Sequence, residues 1–150
     1  MSSIKDTKVV VQMAGKDDFP AILAMREACL DYLKTYRAIV EDRDLDIVNS
    51  YLCVAKINGR VVGSGRADLL KPSVYKLTRV VTSEEVRLAG IGSQVIKHLE
   101  DYVKARKGLK VSLKTRQQTA SFYKKLGYTK VGKYKNKQGT NYVYLTKKII

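Results

Sequence analysis

Gly90 and Gly92 stand at the head of a segment whose apolar residues Ile91, Val95, Leu99 and Val103 recur at every fourth position, which predicts one buried face of a helix. The first turn of that helix carries neither proline nor an acidic side chain. Its free N–H groups therefore make a place where an anion can sit, with two glycines that leave backbone approachable. The plainer reading is that the glycines only let the chain turn. At the other end, Lys104, Arg106 and Lys107 suit the negative pole of the helix, and Gly108 is the expected C′ residue.

A second residue with chemical capacity is Tyr123, within Ala120-Ser121-Phe122-Tyr123-Lys124-Lys125-Leu126-Gly127-Tyr128. A phenol with an ordinary pKa of about 10 is a neutral proton donor at physiological pH. On residue type alone the preferred reading is that Phe122, Tyr123 and Leu126 form the packed face of a short helix. His98 is the only histidine, so zinc sites of the usual His/Cys spacing are excluded and no metal is expected. It falls among polar helix positions and is read as an exposed side chain. With one histidine, no Cys–His or Ser–His pair is available for a covalent enzyme intermediate. Cys29 and Cys53 form no C-x-x-C pair and are read as reduced, buried fillers.

The elements that must position these residues follow from periodicity and turn signals. KVVVQM (8–13) reads as a strand, and DDFPAILAMREACLDYLKTY (17–36) as a helix with Ile22, Met25, Cys29, Leu30 and Leu33 on one face. Residues 51–70 form two strands around Asn58-Gly59, the strongest short hairpin signal. VYKLTRVVT (74–82) is a strand that leads into the glycine loop and the long helix. LKVSLKT is a half-exposed strand, QQTASFYKKLGY a short helix stopped by Gly127, and TKVGKYK and NYVYLTKK are two more strands. The order β α β β β α β α β β predicts one α/β domain over residues 1–150, with a mixed sheet and helices packed on it.

Charge is the unusual quantity. Lys and Arg number 7 against 9 acids in residues 1–50, 8 against 4 in 51–100, and 14 against 1 in 101–150, so the net +15 lies in the last third. Such a field attracts nucleic acid, an acidic macromolecule or a small ligand with several phosphates, unless it only solubilises the surface. Exposed tyrosines among the lysines of 128–148 could stack bases. Alternate strand residues facing a core explain the same pattern and are preferred, so nucleic acid is not the expected partner. No apolar run is long enough for a membrane span and MSSIKDTK lacks a signal-peptide core, so a cytoplasmic protein is expected.

A P-loop would need Gly-Lys followed by Ser or Thr, and a dinucleotide fingerprint would follow the first strand; neither is present. GSGR (63–66) reads as a bulge or a close backbone approach within a strand. Arg87-Leu88-Ala89-Gly90-Ile91-Gly92, however, between a strand and a long helix, resembles the R/Q-x-x-G-x-G/A pyrophosphate loop of the GNAT superfamily of N-acetyltransferases. Residues 120–128 resemble the A-x-x-F-Y-E-K-L-G-F signature of the same family, at the expected distance and in the expected order. Val62-Gly63-Ser64-Gly65-Arg66 and Glu41-Asp42-Arg43-Asp44-Leu45-Asp46 are similar to the V-G-T-G-R and E-x-D-E-x-D of its small bacterial ElaA-like branch.

The resemblance implies a GNAT-type, mostly antiparallel mixed sheet flanked by helices, with acetyl-CoA as cosubstrate and an amine as acceptor. The loop and first turn, Arg87, Leu88, Ala89, Gly90, Ile91, Gly92 and Ser93, would hold the pyrophosphate. Val80, Val81 and Thr82 would offer main-chain groups to the pantetheine amides, Gln117 would place an amide beside the cofactor, and Tyr123 would contact the cofactor and act as catalytic acid. The basic last third would lie near the 3′-phosphate. Where histone-type relatives carry a catalytic glutamate this chain has Lys76, so that base is not implied. Asp68, Glu84, Glu85, Asp42, Asp44 and Asp46 are other carboxylates, each read first as a surface charge. The alternative function is a non-catalytic basic module for nucleic acid or an acidic partner. Monomer and homodimer are equally compatible with the sequence.

Overall fold

Asn58 and Gly59 turn the chain with φ of 51° and 78°, both left-handed, which is the backbone a two-residue hairpin needs to match strand twist. They join β2 (Ser50–Ile57) to β3 (Arg60–Lys71), as the sequence predicts. The computed structural model describes residues 8–29, 48–83 and 90–149. Its other elements are β1 (Val9–Met13), α1 (Phe19–Cys29), β4 (Val74–Thr82), α2 (Ile91–Ala105), β5 (Lys110–Arg116), α3 (Ala120–Lys125), β6 (Thr129–Lys135) and β7 (Asn141–Lys148). The expected first helix reaches further than α1; Leu30, Leu33 and the side chain of Cys29 lie outside the described residues.

The strands form one seven-stranded sheet in the order β1-β2-β3-β4-β5-β7-β6. All neighbours run antiparallel except β4 and β5, which are parallel and joined through α2. Strand alternation divides the core into two layers. Leu52 and Val54 pack with Ile22 of α1, whereas Cys53 and Ala55 join the larger cluster containing Ile91, Val95, Leu99 and Val103 of α2. Helices therefore flank both faces. The four α2 residues are all fully buried, each contributing about 2 kcal/mol through lost apolar surface. Cys53 is a buried free thiol. No described helix is long and apolar enough to cross a membrane.

Gly63 and Gly65 of the GSGR stretch lie beneath α2. A Cβ on Gly65 would stand 2.8 Å from Val95 Cγ1 and 2.9 Å from Leu99 Cδ1, so the helix can approach the sheet only because these atoms are missing. Gly65→Ala should overpack this contact and lower stability by about 1–3 kcal/mol, read as a shifted urea midpoint with an unchanged slope.

Three expectations are corrected. Lys107, not Gly108, takes the left-handed C′ position of α2, with φ 61°. Its N–H bonds Lys104 O at 3.0 Å and the Gly108 N–H bonds Val103 O at 2.8 Å, which is a Schellman closure one residue earlier than the glycine suggested. Gly108 answers a steric need instead, since a Cβ there would collide with Val103 and press on Tyr75. His98 is half-buried rather than exposed. Its Nε2 lies 2.7 Å from Tyr51 Oη, and burial holds its pKa below the usual value against the opposing pull of Asp101. Finally, alternation gives β7 a buried face, Val143 and Leu145, but β6 has no buried residue at all, because it is the outermost strand and nothing described covers it.

Candidate active site

Between Ser64↔Val81 and Arg66↔Thr78, β3 advances two residues while β4 advances three. The extra residue makes a β-bulge, and Arg79 adopts φ 54° within it. The bulge bends β4 out of line with its parallel neighbour. Pairing of β4 with β5 runs only from Val74↔Lys110 to Leu77↔Leu113. Beyond it β4 continues with β3 and β5 continues with β7, so a wedge opens between the two parallel strands at their C-terminal ends. In sheets with parallel neighbours such a parting is where ligands gain access to backbone edges.

Val80, Val81 and Thr82 form the β4 wall of this wedge. Val81 is buried and partners Ser64, while Thr82 partners Gly63. The helix α2 begins beyond the loop, with Gly90 as N-cap at φ 77°. A Cβ on Gly90 would meet nothing within 4 Å, so the glycine answers a backbone requirement beside open space. Gln94 N–H bonds Gly90 O at 3.2 Å, which leaves the N–H groups of Ile91, Gly92 and Ser93 ahead of it in a first turn without an acidic side chain. Ile91 is fully buried, so only its main chain can serve a ligand. Arg87, Leu88 and Ala89 lie outside the described residues.

The third wall comes from the segment after β5. A Cβ on Gly92 would stand 3.2 Å from Phe122 Cζ and 3.7 Å from Thr82 Cγ2. This single position thus brings together the end of β4, the start of α2 and α3. Beside Phe122, Tyr123 is 7% exposed and meets the rings of Phe122 and Tyr128 edge-on at 4.9 and 5.7 Å. Burial pushes its phenol up to about 12, which keeps it protonated throughout the physiological range. Tyr128 Oη donates to Glu100 Oε2 at 2.8 Å, and Lys147 Nζ donates to Glu100 Oε1 at 3.1 Å and to Leu126 O at 2.8 Å. That linkage ties α2, the end of α3 and β7 together. Gln117 is exposed at the end of β5 and lines a cleft of about 350 Å³ together with residues of the β6–β7 hairpin.

Of the carboxylates named from the sequence, Asp68 is engaged: Arg66 Nη2 pairs with it at 2.9 Å and Ser50 Oγ donates to it. Asp42, Asp44, Asp46, Glu84 and Glu85 lie outside the described residues. Two contributors are not evident from sequence. Phe122 stands in the family-like signature, but only the fold sets it against Gly92. Arg79 carries no signal, because nothing about an arginine announces a left-handed bulge.

The chain matches the family model "Acetyltransferase (GNAT) family" over residues 21–128. It belongs to the GNAT acetyltransferase family. Comparison with curated proteins finds no significant match. Among solved structures, this GNAT protein is similar to an aminoglycoside 6′-N-acetyltransferase complexed with coenzyme A, at TM-score 0.81 and 17% identity, covering 94% of this chain and 97% of that one. It is also similar to Ard1 from Thermoplasma volcanium, at TM-score 0.82 and 16% identity, covering 95% and 98%. The ribosomal-protein-S18-alanine N-acetyltransferase from Escherichia coli gives TM-score 0.78 and 15% identity over 95% and 94%. At such identities the likeness is one of fold. The mixed, mostly antiparallel seven-stranded sheet flanked by helices is the GNAT fold.

Proposed function

We propose that the protein transfers acetyl from acetyl-CoA to a primary amine by direct attack in a ternary complex. The observation that carries this reading is the β4–β5 wedge bordered by a glycine-led helix start and by Phe122, the neighbour of Tyr123. The residues present suit an extended anionic thioester. The first-turn amides of α2, with Gly90 and Gly92, would hold a diphosphate, and the β4 edge at Val80, Val81 and Thr82 would hydrogen-bond pantetheine amides as an added strand would. Bound there, acetyl-CoA would supply an activated acyl carbon.

Tyr123 would hold a proton for the departing sulfur. Amine nitrogen forms the new bond to the acyl carbon, the carbon–sulfur bond breaks, the phenol protonates the thiolate, and the proton shed by the amine passes to water and re-protonates the phenol. Direct attack is favoured over an acyl-enzyme, since, among the described side chains, Cys53 is buried with its thiol pushed up to about 12 and His98 is occupied by Tyr51. The V-G-S-G-R stretch supports the ElaA-like branch, here as the packing floor of α2.

Calorimetry tests the cofactor assignment. Acetyl-CoA should bind, and more tightly than its 3′-dephospho form at low salt, with the gap shrinking as salt screens the lysines. Failure of acetyl-CoA to bind the folded protein overturns the proposal. Equal affinities of the two forms return the basic last third to other duties.

A further inference from the structure

Pairing of β4 with β5 ends at Leu77↔Leu113, so Lys114, Thr115 and Arg116 form the β5 wall of the wedge. Val111 and Leu113 are buried with the α2 layer, and alternation turns Lys114 and Arg116 to the opposite face. The register agrees: Arg116 partners Tyr142, which partners Tyr134, and Lys114 partners Tyr144. Tyr134 and Tyr144 are 45% and 41% exposed, in place of the core packing expected from the alternating pattern, so this part of the face is open. Lys114 Nζ sits 5.1 Å from the Tyr142 ring centre and 5.5 Å from that of Tyr134, which holds the ammonium over the face without neutralising it. Arg116 stands two residues on, about 7 Å along the strand. No described carboxylate pairs with either cation. On the β4 wall, Arg79 Nη1 donates to Thr78 Oγ1 at 3.0 Å. Thr78 partners Arg66, which partners Leu52 of the α1 layer, so this contact also lies on the face away from α2. Asp68 is the only acid in the seven strands, and Arg66 already pairs with it.

Under the acetyl-transfer reading, on which this inference rests, the diphosphate sits at the start of α2, on one face of the sheet. The amine then reaches the thioester in the wedge from the other face, past Lys114 and Arg116. We infer that the acceptor is a primary amine carrying its own anionic group, a carboxylate or a phosphate, which these two cations seat while the nitrogen enters the wedge. An ammonium and a guanidinium side by side can each donate to the oxygens of such a group, and charge-assisted bonds of this kind are the strong ones. A polyamine or an aminoglycoside instead brings more positive charge to a wall whose strands offer no unpaired acid, and like-charge contact rejects it. The same cations disfavour the ammonium form of the incoming amine. They thereby favour the neutral nitrogen that attack requires, in a chain where Lys76 stands in place of a glutamate base.

The test uses the full chain with four amines: the peptides Ala-Glu-Glu and Ala-Gln-Gln, O-phosphoethanolamine and spermidine. Each is followed by thiol release from acetyl-CoA and by calorimetric binding to the CoA-loaded protein. Ala-Glu-Glu should exceed Ala-Gln-Gln about tenfold in affinity and in kcat/KM, and the gap should shrink with salt. Lys114→Gln with Arg116→Gln should erase that gap through affinity and KM rather than kcat, with acetyl-CoA affinity unchanged. Lys110→Gln with Lys148→Gln, a cross-strand pair on the same face at the other end of β5, should leave the gap nearly intact. Ala-Glu-Glu against O-phosphoethanolamine tells whether the anion is a carboxylate or a phosphate. The inference is overturned if spermidine is preferred to both anionic amines, or if neither of these binds the CoA-loaded protein more tightly than Ala-Gln-Gln does. It is also overturned if the two double variants act equally, which reduces the effect to diffuse charge, or if the Lys114 and Arg116 variant loses acetyl-CoA affinity, which gives those cations to the cofactor. Failure of acetyl-CoA to bind the parent protein is a separate result, which removes the acetyl-transfer reading and this inference with it.

Discussion

Tyr123→Phe is expected to lower the turnover of acetyl transfer by about two orders of magnitude while leaving acetyl-CoA affinity nearly unchanged. The ring is held edge-on between Phe122 and Tyr128, packing that phenylalanine keeps, so only the hydroxyl is removed. Because burial holds the phenol near 12, the wild-type group is a proton donor at any working pH and its removal cannot be offset by raising or lowering pH within the neutral range. Tyr123→Ala separates the structural share: a cavity in the cluster that also contains Ala120 and Tyr128 should lower stability by about 3–5 kcal/mol. The decisive measurement is turnover with saturating substrates, using an amine the enzyme accepts. A folded phenylalanine variant working at the parent rate, with chemistry rate-limiting, removes the general-acid role and leaves positioning and loop electrostatics.

The second large effect belongs to Gly92. Valine there should reduce acetyl-CoA affinity at least tenfold, about 1.4 kcal/mol. Its Cβ would begin 3.2 Å from the Phe122 ring, and the branches must displace either α3 or the helix start, the two elements that border the proposed phosphate site. Gly90→Ala is the contrast. No atom blocks its Cβ, but φ of 77° strains an L-residue by about 1 kcal/mol, so stability should fall more than affinity. Calorimetry on both folded variants checks the pair; unchanged affinity in Gly92→Val takes the helix start out of the cofactor site.

Much of this arrangement is legible in the sequence where one residue type answers one local demand. The every-fourth apolar seam of α2, the Asn58-Gly59 hairpin and the order of the strands and helices among the described residues are recovered because periodicity and turn chemistry act over a few residues. What fails depends on distant partners. Gly108 looks like a helix stop, yet Tyr75 of β4 and Val103 decide its identity, and Lys107 takes the strained backbone. His98 sits at a polar helix position but finds Tyr51 on β2. β6 alternates like a half-buried strand, and only its place at the sheet edge leaves both of its faces open. The wedge itself is set by one surplus residue in β4, a register fact that no composition or spacing within β4 records.

β7 lies between β5 and β6 although it follows both in the chain. On a ribosome, β5 and β6 therefore emerge before the strand that joins them, and β6 has no pairing partner until residues 141–148 appear. Of the pairings that close this half of the sheet, β6 with β7 is a local hairpin, whereas β5 with β7 must close over α3 and β6 and is the less local, slower step. The β4 wall of the wedge can be complete earlier, through β3, but the β5 wall stays braced on one side only until β7 arrives. The wedge is thus complete only once β7 has been made, and until then the nascent chain has a front half that can pair and a back half that cannot.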